Sequence, residues 1–214
     1  MKKGLFVVVD GPSASGKDSI IRQILKDLKT VRIKSVSIEE TKEKKYDRKR
    51  ILSAKERGDR EVAKTIISER AKIYQEKVVP QLINGISVIA NRGEPTTISY
   101  QTLNTLTMND VWNMHRAKNI LLPSLVVITN CSFEEAIRRE NLRKPSFEEK
   151  NKDFLSGKFT NLEKRKLIHE NYKKAKDFLQ TKGVPVIFIS TDKMDIPHES
   201  KKIVRFIKNK LFAE

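Results

Sequence analysis

A single cysteine, Cys131, among 214 residues excludes an intramolecular disulfide and any cysteine-built metal cluster. Glycine and proline are sparse, at 8 and 7 residues, and nowhere gather into a linker. Residues 1–214 are therefore expected to form one domain. No apolar run approaches the roughly 18–20 residues that a membrane-spanning helix needs. The run Leu5–Val9 has the length of a signal-peptide core, but it ends on Asp10-Gly11, which fits a buried strand better. A cytoplasmic location without a membrane partner is expected. Aromatics make up 7%, too few for obvious base-stacking platforms. His115, His169 and His198 are scattered at no metal-ligand spacing.

What the chain has in excess is positive charge, +17 net. Lysine and arginine in such excess neutralise nucleic-acid phosphates in many proteins. Here acidic residues are interleaved almost throughout, so the pattern fits a solvated surface with a local surplus around an anionic substrate. A nucleic-acid partner is not expected.

Four short apolar runs stand out: Leu5–Val9, Ile86–Ala90, Leu125–Thr129 and Val184–Ile189, with a weaker fifth over Val31–Ile38. Runs apolar at every position suit strands buried on both faces of a parallel sheet. Between them, helical spacing predicts helices over Lys17–Leu28, about Asp59–Ile83, Asn161–Leu179 and Ile196–Leu211. Such alternation implies an α/β sandwich with right-handed crossovers, in which ligands sit beyond the carboxyl ends of the strands.

The loop after the first run reads Gly11, Pro12, Ser13, Ala14, Ser15, Gly16, Lys17, Asp18, Ser19. It fits G-x-x-x-x-G-K between a strand and an amphipathic helix, the context this phosphate-binding motif requires. The glycines let successive N–H groups turn inward, the helix adds its positive end, and Lys17 reaches the β- and γ-phosphates of ATP. The whole loop, residues 11 to 19, is the expected nucleotide cradle. After the lysine the motif normally has a hydroxyl that binds Mg2+; Asp18 stands there. Its carboxylate is either the magnesium contact or only an acid favoured in a first helical turn. The fold expected is the three-layer α/β P-loop NTPase fold, a central five-stranded parallel sheet flanked by helices.

The stretch from Ser68-Glu69-Arg70 through Pro80, Gly85 and Asn91-Arg92 to Thr97, Tyr100 and Gln101 resembles thymidylate kinases. That family has an acid-arginine pair on a helix, then P-x-L-x-x-G, a strand ending in D-R-Y, and S-x-x-A-Y-Q, and the spacing matches over about 35 residues. Weaker similarity runs from Val126 through Arg139 and again at Asn171-Tyr172. The resemblance implies transfer of the ATP γ-phosphoryl to a nucleoside monophosphate, thymidylate first among them. It gives Arg92 the acceptor phosphate and sets Ile66, Arg70, Thr97, Tyr100 and Gln101 along the acceptor. A homodimer is also implied, with Trp112 either at its interface or in the core. The sequence departs from the family at Asn91, where an acid is usual, at Gly93 and Ile66, where aromatics are usual, and at Ile38–Lys42, where T-R-E-P-G-G is usual.

Arg138, Arg139, Arg143 and Lys144 end a helix and open a polar stretch. Arg139 and Arg143 are four apart and share a helical face. Since the phosphate loop has no arginine, a lid at about 139–158 is expected to bring Arg139 and Arg143 to the transferring phosphoryl group. The residues leave two other readings open. One is a kinase of a nucleoside or another small phosphorylated metabolite. The other is an ATP- or nucleic-acid-binding protein without turnover.

Overall fold

The computed structural model describes residues 3–43, 47–142, 162–193 and 195–212. Five parallel strands, β1 (Phe6–Asp10), β2 (Ser35–Glu39), β3 (Ser87–Asn91), β4 (Leu125–Asn130) and β5 (Val186–Ser190), pair in the order β2-β3-β1-β4-β5. β1 and β4 are buried at every position, as their unbroken apolar sequences require. Alternation along β1 divides the core. Val7 and Val9 face α1 (Lys17–Thr30) and the C-terminal helix Ile196–Phe212, which meet them through Ile20, Ile24, Ile203 and Ile207. Phe6 and Val8 face the opposite layer.

That layer holds α3 (Asp59–Ile73), α5 (Glu94–Gln101), α6 (Met108–Ala117) and the helix Leu162–Thr181. Among the described residues the other α-helices are α2 (Arg48–Lys55), α4 (Val79–Ile83) and α7 (Phe133–Asn141); Leu162–Thr181 is here numbered α8 and Ile196–Phe212 α9. The expected three-layer arrangement is present. Trp112 is in the core, edge-on to Phe178 at 6.3 Å.

Three local differences have physical causes. The helix expected over Asp59–Ile83 changes to a π-helical turn over Tyr74–Val78 before α4. Pro80 has no N–H to return to a carbonyl one turn back, so the hydrogen-bond ladder shifts its register there. The weak run at Val31–Ile38 begins as a strand only at Ser35, because Val31 caps α1 and Ile33 packs with the α1 layer. Helices α2, α5 and α6 were not expected. Of these, α2 buries only Ile51 and Ala54, and α5 buries polar Glu94, Thr97 and Ser99 beside its apolar residues.

Candidate active site

The ends of β1, β3 and β4 and the start of α1 converge on the phosphate loop. Gly11 has φ 152°, and a Cβ there would lie 2.1 Å from the Thr129 carbonyl oxygen, so no other residue fits. Ala14 and Gly16 are also left-handed, with φ of 58° and 86°. Thr129 Oγ1 donates to the Asp10 carbonyl at 3.2 Å, so the 2.8 Å contact with Ser15 Oγ takes its proton from Ser15. Lys17 is 8% exposed and donates from Nζ to the Pro12 carbonyl at 3.0 Å, folded across its own loop. The positive end of α1 points at this loop, which suits phosphate oxygens.

Asp10, fully buried at the end of β1, organises the centre. Its Oδ1 accepts from Gly11 N at 2.7 Å, Thr96 Oγ1 at 2.7 Å and the Tyr172 hydroxyl at 2.9 Å. Its Oδ2 accepts from Gly93 N at 3.0 Å and Thr96 N at 2.8 Å. Such a set of donors compensates a carboxylate for lost hydration. The sequence reading missed this role, although a carboxylate closing an apolar strand immediately before Gly11 was a visible signal.

On the neighbouring strand end, Arg92 has φ 76°, costly for a residue with a side chain and typical of functional sites. Its backbone N–H holds Val9 O at 3.0 Å and its Nη1 donates to Thr96 Oγ1 at 3.2 Å. Burial opposes its charge, but Tyr100, Tyr172, Asp10 and Glu40 outweigh that and raise its pKa above the ordinary value. Arg92 thus stands as a permanent cation across from the phosphate loop. Beside it, Asn91 Nδ2 donates to Asp18 Oδ1 at 3.1 Å and to Glu39 Oε2 at 3.4 Å. Asp18 is exposed and Glu39 half-buried.

Arg70 lies deeper than the sequence suggested. It is fully buried, donates from Nε and Nη2 to Glu40 at 2.8 Å each, and shares Nη1 between Thr97 Oγ1 at 2.8 Å and His115 Nε2 at 2.9 Å. His115 Nδ1 faces the Val111 carbonyl at 2.9 Å, so Nδ1 carries the proton and Nε2 accepts. Burial, and then Arg70, depress the His115 pKa to about 3, which keeps the ring neutral. Four of the five guanidinium N–H groups are therefore committed inside the protein. Glu94 is buried against this network with neither carboxylate oxygen hydrogen-bonded, and burial raises its pKa to about 7.

The other expected residues fall as follows. Tyr100 is half-buried and edge-on to Tyr172 at 6.4 Å, and Gln101 closes α5. Ile66 packs on the small cluster of Ile51, Ala54 and Val62. Arg139 bonds Glu135 Oε1 at 2.7 Å, Ala14 O at 3.3 Å and Thr191 Oγ1 at 2.9 Å, so it ties the phosphate loop to the segment after β5. Arg143 and most of the expected lid lie outside the described residues.

A glycine-rich loop between a buried strand and a helix, a buried lysine on that loop and a strained arginine on the adjacent strand define a nucleotide-dependent phosphotransferase of the P-loop class. Comparison with known proteins narrows this. The thymidylate kinase family model matches residues 9–179. A curated thymidylate kinase of Leptospira interrogans serovar copenhageni is 26% identical over 146 residues, 67% of this chain and 72% of that protein. Those of Brachyspira hyodysenteriae and Oenococcus oeni are 27% and 29% identical, over 64% and 65% of this chain and 68% and 69% of their own lengths. The chain belongs to the thymidylate kinase family. It is an ATP-dependent nucleotide kinase, and members of this family generally work with Mg2+. Among the described residues no helix is long and apolar enough to cross a membrane.

Proposed function

We propose that this chain transfers the γ-phosphoryl group of ATP to a (deoxy)nucleoside monophosphate, with thymidylate the leading acceptor. The observation that carries the reading is Arg92, held in a strained backbone conformation and linked through Thr96 and Asp10 to the phosphate loop. Its planar fork suits two oxygens of an acceptor phosphate, and its fixed place aligns that phosphate with the loop. Lys17 exchanges its Pro12 contact for the β- and γ-phosphates and follows the charge as it moves. The acceptor phosphate is itself the nucleophile, so no general base is needed. Asp18, an exposed carboxylate at the helix start, would offer a hard oxygen to the magnesium of the nucleotide, which would supply neutralisation of developing charge. Residues 11–19 cradle the donor phosphates, and Thr97, Tyr100 and Gln101 border the acceptor, while Arg70 acts from beneath it.

Arg139 and Arg143 remain the proposed guanidinium donors, Arg139 by fixing the phosphate loop and Arg143 by meeting the transferring group. One catalytic domain over 1–214 with a lid at about 139–158, a homodimeric state and a cytoplasmic location complete the proposal. A second reading, phosphorylation of a nucleoside or another small metabolite, is favoured by Ile66, which packs in an apolar cluster and offers no aromatic face to a base. Coupled ADP release over a panel of monophosphates and nucleosides tests both. Turnover with thymidylate above all others supports the first reading. Turnover with nucleosides alone replaces it with the second, and none with any acceptor removes both.

A further inference from the structure

β2 is an outer strand of the sheet, paired with β3 alone. Ser87 N donates to Lys34 O at 2.9 Å, so the alternation of a parallel ladder turns Lys34, Val36 and Ile38 toward β3. The backbone N–H and C=O groups of Ser35 and Ser37 then face the open side. Among the described residues no other backbone group pairs with them there. Open edges are usually shielded by lysine or proline within the strand, and Ser35–Glu39 contains neither.

Along this edge runs a groove of about 580 Å³. Leu25, Ile33, Val36 and Ile86 give it an apolar lining, and Lys29, Arg32 and Lys34 stand exposed on its wall. Among the described residues no carboxylate lines the groove or forms an ion pair with these three cations. Arg32 takes the left-handed position that closes α1, at φ 58°, with its N–H on Lys29 O and the Ile33 N–H on Leu28 O. Glycine is the usual residue in that closing turn, so a guanidinium is set beside the groove against a backbone cost. A free phosphate would meet the cations and leave the apolar lining and the strand edge unused. An extended peptide meets all three. Its main chain pairs with Ser35 and Ser37, alternate side chains enter the groove, and carboxylates reach the cations.

We propose that the β2 edge docks an extended acidic segment of a partner protein as a sixth strand of the sheet. Its acidic residues lie against the start of β2, because Glu39 at the far end repels them. The groove lies by the start of β2, away from the strand ends that carry the phosphate loop, so docking leaves the cleft open.

The test is fluorescence anisotropy of a labelled eight-residue peptide, glutamate and valine in alternation, with hydrogen exchange of the full chain read at the Ser35 and Ser37 amides. Saturable binding that slows exchange at both amides and weakens with salt is the expected result. Lys34→Glu should weaken it about 10-fold or more and Arg32→Gly about 2–5-fold. Ser37→Pro removes an outward N–H without touching the ladder to β3 and should abolish binding. All three variants should keep the parent's nucleotide binding. No saturable binding up to about 1 mM peptide overturns the proposal. Equal binding of a lysine-valine peptide, or of a fully N-methylated copy of the acidic one, also overturns it. Should Ser37→Pro fail to fold, the N-methylated peptide decides the same point on the parent chain. Displacement of the peptide by ATP places it on the phosphate loop and refutes docking at β2.

Discussion

Glu94→Gln is expected to stabilise the protein at neutral and higher pH and to leave it nearly unchanged in mild acid. Glu94 is 1% exposed, both carboxylate oxygens lack hydrogen bonds, and burial raises its pKa from 4.5 to about 7. Arg70 pulls in the other direction but is already committed to Glu40. In the folded state the group keeps its proton up to about pH 7, whereas in the unfolded chain it releases it near 4.5. Ionisation of the unfolded chain alone costs stability as pH rises through that window, and the loss levels off above it. A displacement of this size corresponds to about 3 kcal/mol in full. Glutamine has the same shape and does not titrate. In urea unfolding at pH 8, Glu94→Gln should therefore exceed the parent by about 3 kcal/mol, or roughly 6–12 °C in Tm, and the difference should shrink to under about 1 kcal/mol at pH 5. A difference that stays constant between pH 5 and 8 would show that Glu94 ionises normally in the folded protein, and the reasoning would fail.

Further outcomes follow from the same site. Lys17→Ala should retain the parent's circular dichroism and melting behaviour while turnover in a coupled ADP assay falls by several orders of magnitude. Arg92→Ala should raise KM for the monophosphate by an amount equivalent to about 2–3 kcal/mol, with donor-nucleotide affinity in a binding titration little changed. Glu40→Gln should cost about 3–5 kcal/mol in denaturant unfolding, because it leaves the buried Arg70 charge without its partner. Adding Arg70→Met to Glu40→Gln should recover most of that loss, and a strictly additive double variant would show that the pair is not coupled.

The phosphate loop was legible in sequence because backbone geometry dictates it, whereas Arg92 was singled out through the family resemblance. Gly11 and Gly16 occupy conformations that other residues avoid, and a loop of fixed length leads into α1. β1, β3 and β4 were visible for a similarly local reason, since burial on both faces leaves a nearly unbroken apolar run, whereas β2, with Ile38 alone buried, gave only a weak one. Asp10, Glu40, Glu94 and His115 were not read as a site because their partners are remote in the chain. Tyr172 reaches Asp10 and Arg70 reaches Glu40 only after the sheet and α3 have brought them together. Helix α6 did carry a local signal. Thr107 and Asp110 form a capping box whose spacing is written in the sequence.

Asp10 also sets how the cleft can move. Its two oxygens bolt together the backbone of the phosphate loop at Gly11, the turn after Arg92 at Gly93 and Thr96, and α8 at Tyr172. In mechanical terms the donor wall and the acceptor wall form one truss with a buried anion at its central joint. A hinge between β1 and β3 would have to break several charge-assisted hydrogen bonds at once, out of reach of water. Closure around substrates is therefore expected to fall to side chains such as Lys17, with the Gly11-to-Gly93 separation held by Asp10.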